Sequence, residues 1–336
     1  MIRSHAMQRD SPVVVGLNAV IVAVTRESPR ILTLSGMAGP STRIDPLRSN
    51  PDVDVLPYGP LDPTGDRTLE LTLRGWVREQ TGLDLGYVEQ LYTFGDRNRG
   101  PSSSGEAPRV ISVAYLALVR EDRPSGNSRA RWRDWYSYVP WEDWRKGAPP
   151  VIADVIAPAL HTWIAESDSP ALHEERSERA GICFGLQGSE WDPDRVLERY
   201  ELLYEVGLVP EAWRDRGESS PIGTDSSLGR AMDMDHRRIL ATGIGRIRGK
   251  LRYRPVVFEL LPETFTLLRL QLVVEALSGI RLHKQNFRRL VEKVGLVEGT
   301  GSYDAKTGGR PAELFRFRRE VLRERRAPGM RIPGSR

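Results

Sequence analysis

The sequence predicts an α+β chain in three parts: a strand-rich front domain over 11–148, a helical insert and linker over 149–229, and a winged helix-turn-helix over 230–325. Three observations predict it. β-branched runs flank one capped helix in the first 120 residues. Charge is divided unevenly along the chain. Near the C-terminus, two amphipathic helical stripes joined by a tight turn lead straight into a hairpin pattern.

At 336 residues the chain has room for about two domains. An apolar fraction of 39% with 28% charged residues is an ordinary soluble composition. No stretch reaches the roughly 18 to 20 apolar residues of a membrane span, and the start lacks a basic-then-apolar leader, so a cytoplasmic protein with no membrane partner is expected. The lone Cys183 excludes an internal disulfide and a cysteine-rich zinc module, and reads as a small buried residue. The net charge of +4 conceals an asymmetry. From Gly229 to Arg336 there are 24 Lys and Arg against 11 Asp and Glu, and before it 25 against 34. A basic module joined to an acidic one is the electrostatic outline of a nucleic-acid reader attached to something else.

In order, 12–24 (PVVVGLNAVIVAV), 30–34 and 109–119 (RVISVAYLALV) read as strands, with a helix over 68–81 closed by Gly82 between them. The stretches 97–108 and 120–131 read as polar loops. Four of the eight tryptophans fall in 132–144, a cluster assigned to packing because aromatics dominate buried area. Helical spacing appears at 151–165 and 194–206, separated by the charged run 174–179, and 217–229 (GESSPIGTDSSLG) has the composition of a linker. Leu240, Ile244, Ile247 and Leu251 recur at helical spacing, although Gly243 and Gly245 weaken it.

Thr266 then caps a helix buried through Leu267, Leu270, Val274 and Leu277 and stopped by Gly279. The next helix buries Phe287, Leu290, Val291 and Val294 and ends at Gly295, which turns Gln285, Asn286, Arg288, Arg289, Glu292 and Lys293 outward. A strand at 296–298, a glycine-rich loop ending in Gly309, Arg310 and Pro311, and an alternating strand at 314–318 with Phe315 and Phe317 on one face complete a wing. A helix packed by one face and bearing Gln, Asn and Arg outward suits a major groove, and Lys306 and Arg310 at the wing tip suit phosphates. RNA is not excluded, but no aromatic stacking motif of the RNA-recognition type is present. The five histidines lack metal-ligand spacing, and there is no phosphate-loop lysine or nucleophile elbow. No metal site and no catalytic set are expected.

The segment 56–83 (LPYGPLDPTGDRTLELTLRGWVREQTGL) resembles a Nudix box in its strand-loop-helix setting. Aligned on Gly82, the family's arginine position holds Gly75, its first glutamate position Trp76, and its last pair Glu79 and Gln80. One carboxylate of three remains, too few to hold a divalent ion on a diphosphate. The resemblance therefore implies a Nudix-like α/β/α sandwich kept to sense a nucleotide.

The stretch from Asp235 through GGRPAELFRF, with QLYTFGD at 90–96 and RVISVAY at 109–115, resembles the Nudix-related transcriptional regulators called NrtR. The extra helical segment and degraded box are similar to their NadQ branch. That resemblance implies a homodimeric, DNA-binding repressor of NAD biosynthesis genes, requiring no cofactor and modulated by NAD, ADP-ribose or ATP. It implies His283, Lys284, Gln285, Asn286, Arg288, Arg289, Lys306 and Arg310 on DNA, with Gln285, Arg288 and Arg289 toward bases and Lys284, Asn286 and Arg310 toward the backbone. It implies Phe94, Asp96 and Arg109 on the effector. Two alternatives are an active hydrolase of ADP-ribose-like diphosphates with an auxiliary nucleic-acid domain, and a regulator whose front domain only dimerises.

Overall fold

The computed structural model describes residues 13–25, 27–35, 53–96, 109–120, 130–305, 311–324 and 330. The front of the chain folds as β1 (Val13–Thr25), β2 (Ser28–Leu34), β3 (Tyr58–Pro60), α1 (Leu69–Thr81), β4 (Tyr87–Phe94), β5 (Arg109–Leu118) and β6 (Ala130–Asp134). These strands form one sheet in the order β4-β5-β1-β2-β6, with β3 pairing beside β1. β1 and β5 run parallel in unbroken register from Val13↔Arg109 to Val22↔Leu118, and the remaining pairs are antiparallel.

Alternation along β1 decides the layers. Leu17, Ala19, Ile21 and Ala23 point to the α1 side, where Leu73 and Val77 meet them. Val20, Val22 and Val24 point the other way, into the large core shared with the later helices. α1 starts where expected, with the Thr68 hydroxyl accepting from the Leu71 N–H at 3.2 Å, and stops at Gly82 with φ 72°.

The insert contributes a π-turn over Ile152–Ile156, then α2 (Ala157–Ala165), α3 (Pro170–Phe184), α4 (Val196–Glu205) and α5 (Pro210–Asp215). The charged run 174–179, expected between helices, lies inside α3: Ser169 caps that helix, and its buried contacts are confined to Ala180, Gly181, Cys183 and Phe184 near the end. The linker-like stretch ends in a two-residue ladder, β7 (Asp225–Ser226) with β8 (Gly229–Arg230). Gly229 there has φ 82°, and a Cβ on it would meet the Tyr138 carbonyl at 2.7 Å, so the linker's end is packed.

Next come α6 (His236–Leu251), β9 (Thr264–Phe265), α7 (Leu267–Ser278), α8 (Lys284–Val294), β10 (Val297–Asp304), β11 (Ala312–Phe317) and the single turn α9 (Val321–Glu324). The expected domain boundary at 229/230 falls just before α6, which packs on the front sheet and on α4 as well as on α7. Gly243, which weakens α6 in isolation, is what lets it approach the sheet: a Cβ would lie 3.1 Å from Val20. At the start of α6, the Leu56 N–H donates to His236 Nδ1 at 3.0 Å, which leaves Nε2–H to donate to Asn18 Oδ1 at 3.0 Å. Asn18 in turn donates to Ser112, so a buried chain of polar groups ties α6 to β1 and β5.

The three parts meet at one buried carboxylate. Glu142 is fully buried and accepts from Arg199 of α4 at 2.5 and 2.9 Å and from Arg248 of α6 at 2.5 Å. Arg199 also donates to the Cys183 and Asp192 carbonyls, and Arg248 to the Pro193, Glu142 and Leu277 carbonyls. A second buried pair, Arg237 of α6 with Glu211 of α5 at 3.3 Å, is satisfied by the Tyr138 and Leu228 carbonyls and the Met232 N–H. The tryptophan cluster is core, as expected: Trp135 and Trp141 are fully buried. No helix among the described residues is long and apolar enough to cross a membrane.

Burial raises the Glu142 pKa, but the guanidiniums of Arg199 and Arg248 outweigh it and hold the carboxyl below its usual range. A depressed folded-state value means stabilisation that is complete above the unfolded carboxylate range and lost as pH falls through it toward the folded value. Removing one member of such a buried set leaves charges without partners. Glu142→Ala should therefore cost about 3–5 kcal/mol by urea denaturation at neutral pH. The loss relative to parent should shrink on titrating from neutral toward strongly acidic buffer; a constant difference would show that the carboxylate's charge is not what holds the junction.

Candidate nucleic-acid interface and nucleotide cleft

α8 follows α7 after the turn 279–283, and two buried side chains of α7 set that turn. Glu275 Oε1 accepts from the Leu282 N–H at 2.9 Å, and Gln271 Nε2 donates to Glu275 at 2.8 Å and to the Leu282 carbonyl at 2.9 Å. Gly279 closes α7 with φ 75°, and a Cβ there would meet the Glu142 carbonyl at 2.5 Å and Arg248 Nη2 at 2.6 Å. The C-terminal end of α7 is held from the front domain: the Tyr136 hydroxyl donates to the Ala276 carbonyl at 2.8 Å and the Trp144 N–H to the Gly279 carbonyl at 2.7 Å. Sequence reading missed Gln271 and Glu275. Their signal is two polar residues four apart within the apolar run of α7, a pairing that helices favour.

Phe287 and Val291 anchor α8, with Leu290 and Val294 half-buried against the same core. His283, Lys284, Gln285, Asn286, Arg288, Arg289, Glu292 and Lys293 are all exposed. Lys284, Arg288, Arg289 and Lys293 make no ion pair or side-chain hydrogen bond among the described residues. Unneutralised cations along one face of an anchored helix favour a polyanion. Beside it, β10 and β11 form an antiparallel hairpin from Val297↔Phe317 to Asp304↔Ala312, and β9 joins its other edge through Phe265↔Phe315. Phe258 stacks on Phe317 at 4.3 Å, which fixes the hairpin's base. The first wing strand is longer than the expected 296–298. Lys306 and Arg310 lie outside the described residues.

An open groove of about 1130 Å³ separates the edge of the front sheet from the wing's base. Its lining mixes both signs of charge, with Lys250, Arg254, Arg316 and Arg319 among Glu259, Glu263, Glu298 and Glu320, and Arg316 pairs with Glu298 at 2.6 Å.

The segment that resembles a Nudix box comprises β3, the loop after it and α1, which packs against β3. Where the family pattern carries glutamates, the Trp76 indole lies on Gly59, at which any Cβ would clash with the ring, and donates from Nε1 to the Pro60 carbonyl at 3.0 Å. Gln80 Nε2 donates to the Tyr58 carbonyl at 2.6 Å. Asp62 is used within its own loop, accepting from the Thr64 N–H and hydroxyl, and the Asp66 carboxylate accepts from the Asp62 N–H. Glu70 pairs with Arg74 at 2.8 Å, and Glu79 is exposed. No group of three or more His, Cys, Asp or Glu suited to a metal occurs among the described residues. The side chains present do not fit a divalent ion: an indole and a carboxamide occupy the positions that would hold it.

The expected effector residues are not equivalent. Arg109 is exposed and donates to the Gly95 carbonyl at 3.2 Å, so it and the exposed Asp96 share one end of the sheet. Phe94, expected as a stacking platform, is instead buried in the core and set edge-on to Tyr92 at 5.8 Å. The reason is an irregularity in the β4–β5 register between Gln90 and Thr93, which turns Phe94 inward and leaves Tyr92 exposed.

Residues 257–317 match the family model described as the NrtR DNA-binding winged helix domain. Over 152 residues the chain is 36% identical to the ADPR responsive transcriptional repressor NtrR of Acinetobacter baylyi, a match covering 45% of this chain and 57% of that relative's length. The chain thus spans little more than half of that curated relative. Among solved structures, Shewanella oneidensis NrtR complexed with a 27mer DNA is similar over 92% of this chain and 95% of its own, with a TM-score of 0.52 at 19% identity. NrtR of the same organism is similar over 91% and 95%, with a TM-score of 0.50 at 21% identity. The chain is therefore NrtR-like in its C-terminal module and in its overall fold, a Nudix-like domain joined to a winged helix.

The anchoring and outward faces of α8 should separate cleanly on substitution. Phe287→Ala is expected to lower unfolding stability by about 3–5 kcal/mol. Arg289→Ala should change it by less than about 0.5 kcal/mol. Equal losses in a denaturant titration would show that the cationic face is packed against protein.

Proposed function

We propose that the chain is a DNA-binding transcriptional repressor of NAD biosynthesis genes, working as a cytoplasmic homodimer, whose front domain senses an ADP-ribose-type nucleotide without hydrolysing it. The observation that carries this reading is α8. It is held by Phe287 and Val291 and presents Gln285 and Asn286 together with the unneutralised Lys284, Arg288 and Arg289 to solvent, inside a segment matching a DNA-binding winged helix. Gln285, Arg288 and Arg289 are assigned to base edges, where Arg pairs with guanine and Gln with adenine. Lys284, Asn286 and Arg310 are assigned to the sugar-phosphate backbone, Lys306 to phosphates or the adjacent minor groove beside Arg310, and His283 to the same DNA-contacting set. Two copies engaging half-sites one DNA turn apart would multiply a modest single-site affinity.

ADP-ribose is favoured as the effector by the name of the Acinetobacter relative, with NAD and ATP as the comparators. No cofactor is required in this reading. A nucleotide alters repression only if it binds the DNA-competent and incompetent arrangements unequally. The hydrolase alternative needs several carboxylates converging on a metal, and Trp76 with Gln80 argues against it.

A mobility-shift titration on the DNA upstream of the chain's own gene tests this, with ADP-ribose, NAD or ATP added in turn. Binding is expected to weaken by about 10³-fold or more between about 50 and about 200 mM salt. One nucleotide should move the midpoint by about fivefold or more. Absence of duplex binding at low salt, or metal-dependent turnover of ADP-ribose by the purified protein, would overturn the proposal.

A further inference from the structure

We infer that Trp76 is the platform on which the front domain stacks a nucleobase, an assignment that rests on the nucleotide-sensor reading and names the contact that replaces the missing metal cage. The indole is held as a recognition element would be. One face lies on the Gly59 backbone, too close for any other residue at that position, and Nε1–H is fixed on the Pro60 carbonyl at 3.0 Å. The ring nevertheless remains partly open to solvent. An aromatic ring immobilised before binding gives up little conformational freedom when a base stacks on it.

Gln80, one helical turn further on, adds an independent observation. Its Nε2 is committed to the Tyr58 carbonyl, and its Oε1 is a buried acceptor with no hydrogen-bond partner. A buried acceptor left unpaired is costly, and a ligand N–H or O–H would relieve it. The sheet supplies the remaining polarity. Pro60 pairs with Gly16, β1 begins at Val13, and Val13 pairs with Arg109, so an exposed guanidinium stands at the end of the sheet toward which β3 leads. A flat aromatic group bearing hydrogen-bond donors, linked to a diphosphate, matches this combination of ring, acceptor and cation. Because an indole and a carboxamide stand where a metal would need carboxylates, recognition proceeds without a divalent cation.

Calorimetry with ADP-ribose on the full chain tests the inference, run on parent, Trp76→Phe and Trp76→Leu, with magnesium chloride and with EDTA. Parent affinity should be the same in both buffers. Trp76→Leu should weaken binding by roughly tenfold or more, and Trp76→Phe by roughly threefold or less. Parent affinity that falls about tenfold in EDTA, or a folded Trp76→Leu that binds like parent, overturns the inference. Should Trp76→Leu fail to fold, ¹⁹F spectra of the parent carrying 5-fluorotryptophan decide. The Trp76 resonance, assigned by its loss in Trp76→Phe, must shift as ADP-ribose saturates, and an unmoved resonance overturns the inference. Parent protein that binds no ADP-ribose overturns the sensor reading itself, an outcome distinct from binding in which Trp76 takes no part.

Discussion

The arrangement of this molecule depends on a single carboxylate with no access to water. Glu142 belongs to the front domain, Arg199 to the insert, and Arg248 to the long helix that leads into the winged module. Two guanidiniums on one buried carboxylate leave net positive charge in the interior, and it is carbonyl oxygens of the surrounding backbone that accept the remaining N–H groups. One of those carbonyls, Leu277, is in the last turn of α7, so the cation also meets the negative end of that helix's dipole. Such a junction tolerates little relative sliding, because any displacement separates charges that cannot be rehydrated.

From that constraint the position of the cationic helix α8 follows by short steps. Arg248, Tyr136 and Trp144 hold the end of α7, Gly279 turns the chain against Glu142, and Glu275 with Gln271 fixes the turn into α8. At the other end of α6, His236 reaches Asn18 and Leu56, on the strand that pairs with β3 and on the approach to it. The edge strand adds a third tie: Glu89 of β4 pairs with Arg246 and Lys250 of α6. The strands beside Trp76 and the cationic face of α8 are therefore tied to one continuous framework of polar and packed contacts, a route along which two sites can be coupled.

Much of this was legible in the residues. β1, β5 and α1 announced themselves through β-branched runs and end-caps, and α7 and α8 through a Thr cap, apolar stripes and terminal glycines, because those signals are local. The outward set on α8 followed from helical periodicity alone. What escaped was non-local. Gly243 reads as a helix weakness until Val20 is placed beneath it, and Gly229 reads as linker until Tyr138 is seen against it. Neither buried ion network could be inferred, since Glu142, Arg199 and Arg248 lie far apart in the chain and resemble any surface charges. Phe94 is buried because a register shift in β4 breaks the alternation that would have put it on the outward face with Tyr92. Trp76 was visible as a departure from the family's box, but that its ring is held against β3 came only from the Gly59 and Pro60 contacts.

The proposal that nucleotide and operator communicate through this framework has a direct test in linkage. The Kd for the upstream duplex is measured with and without saturating ADP-ribose, and the Kd for ADP-ribose with and without saturating duplex. The account predicts that both change by one and the same factor, about fivefold or more. Tight binding of each ligand with neither affinity altered by the other would contradict it.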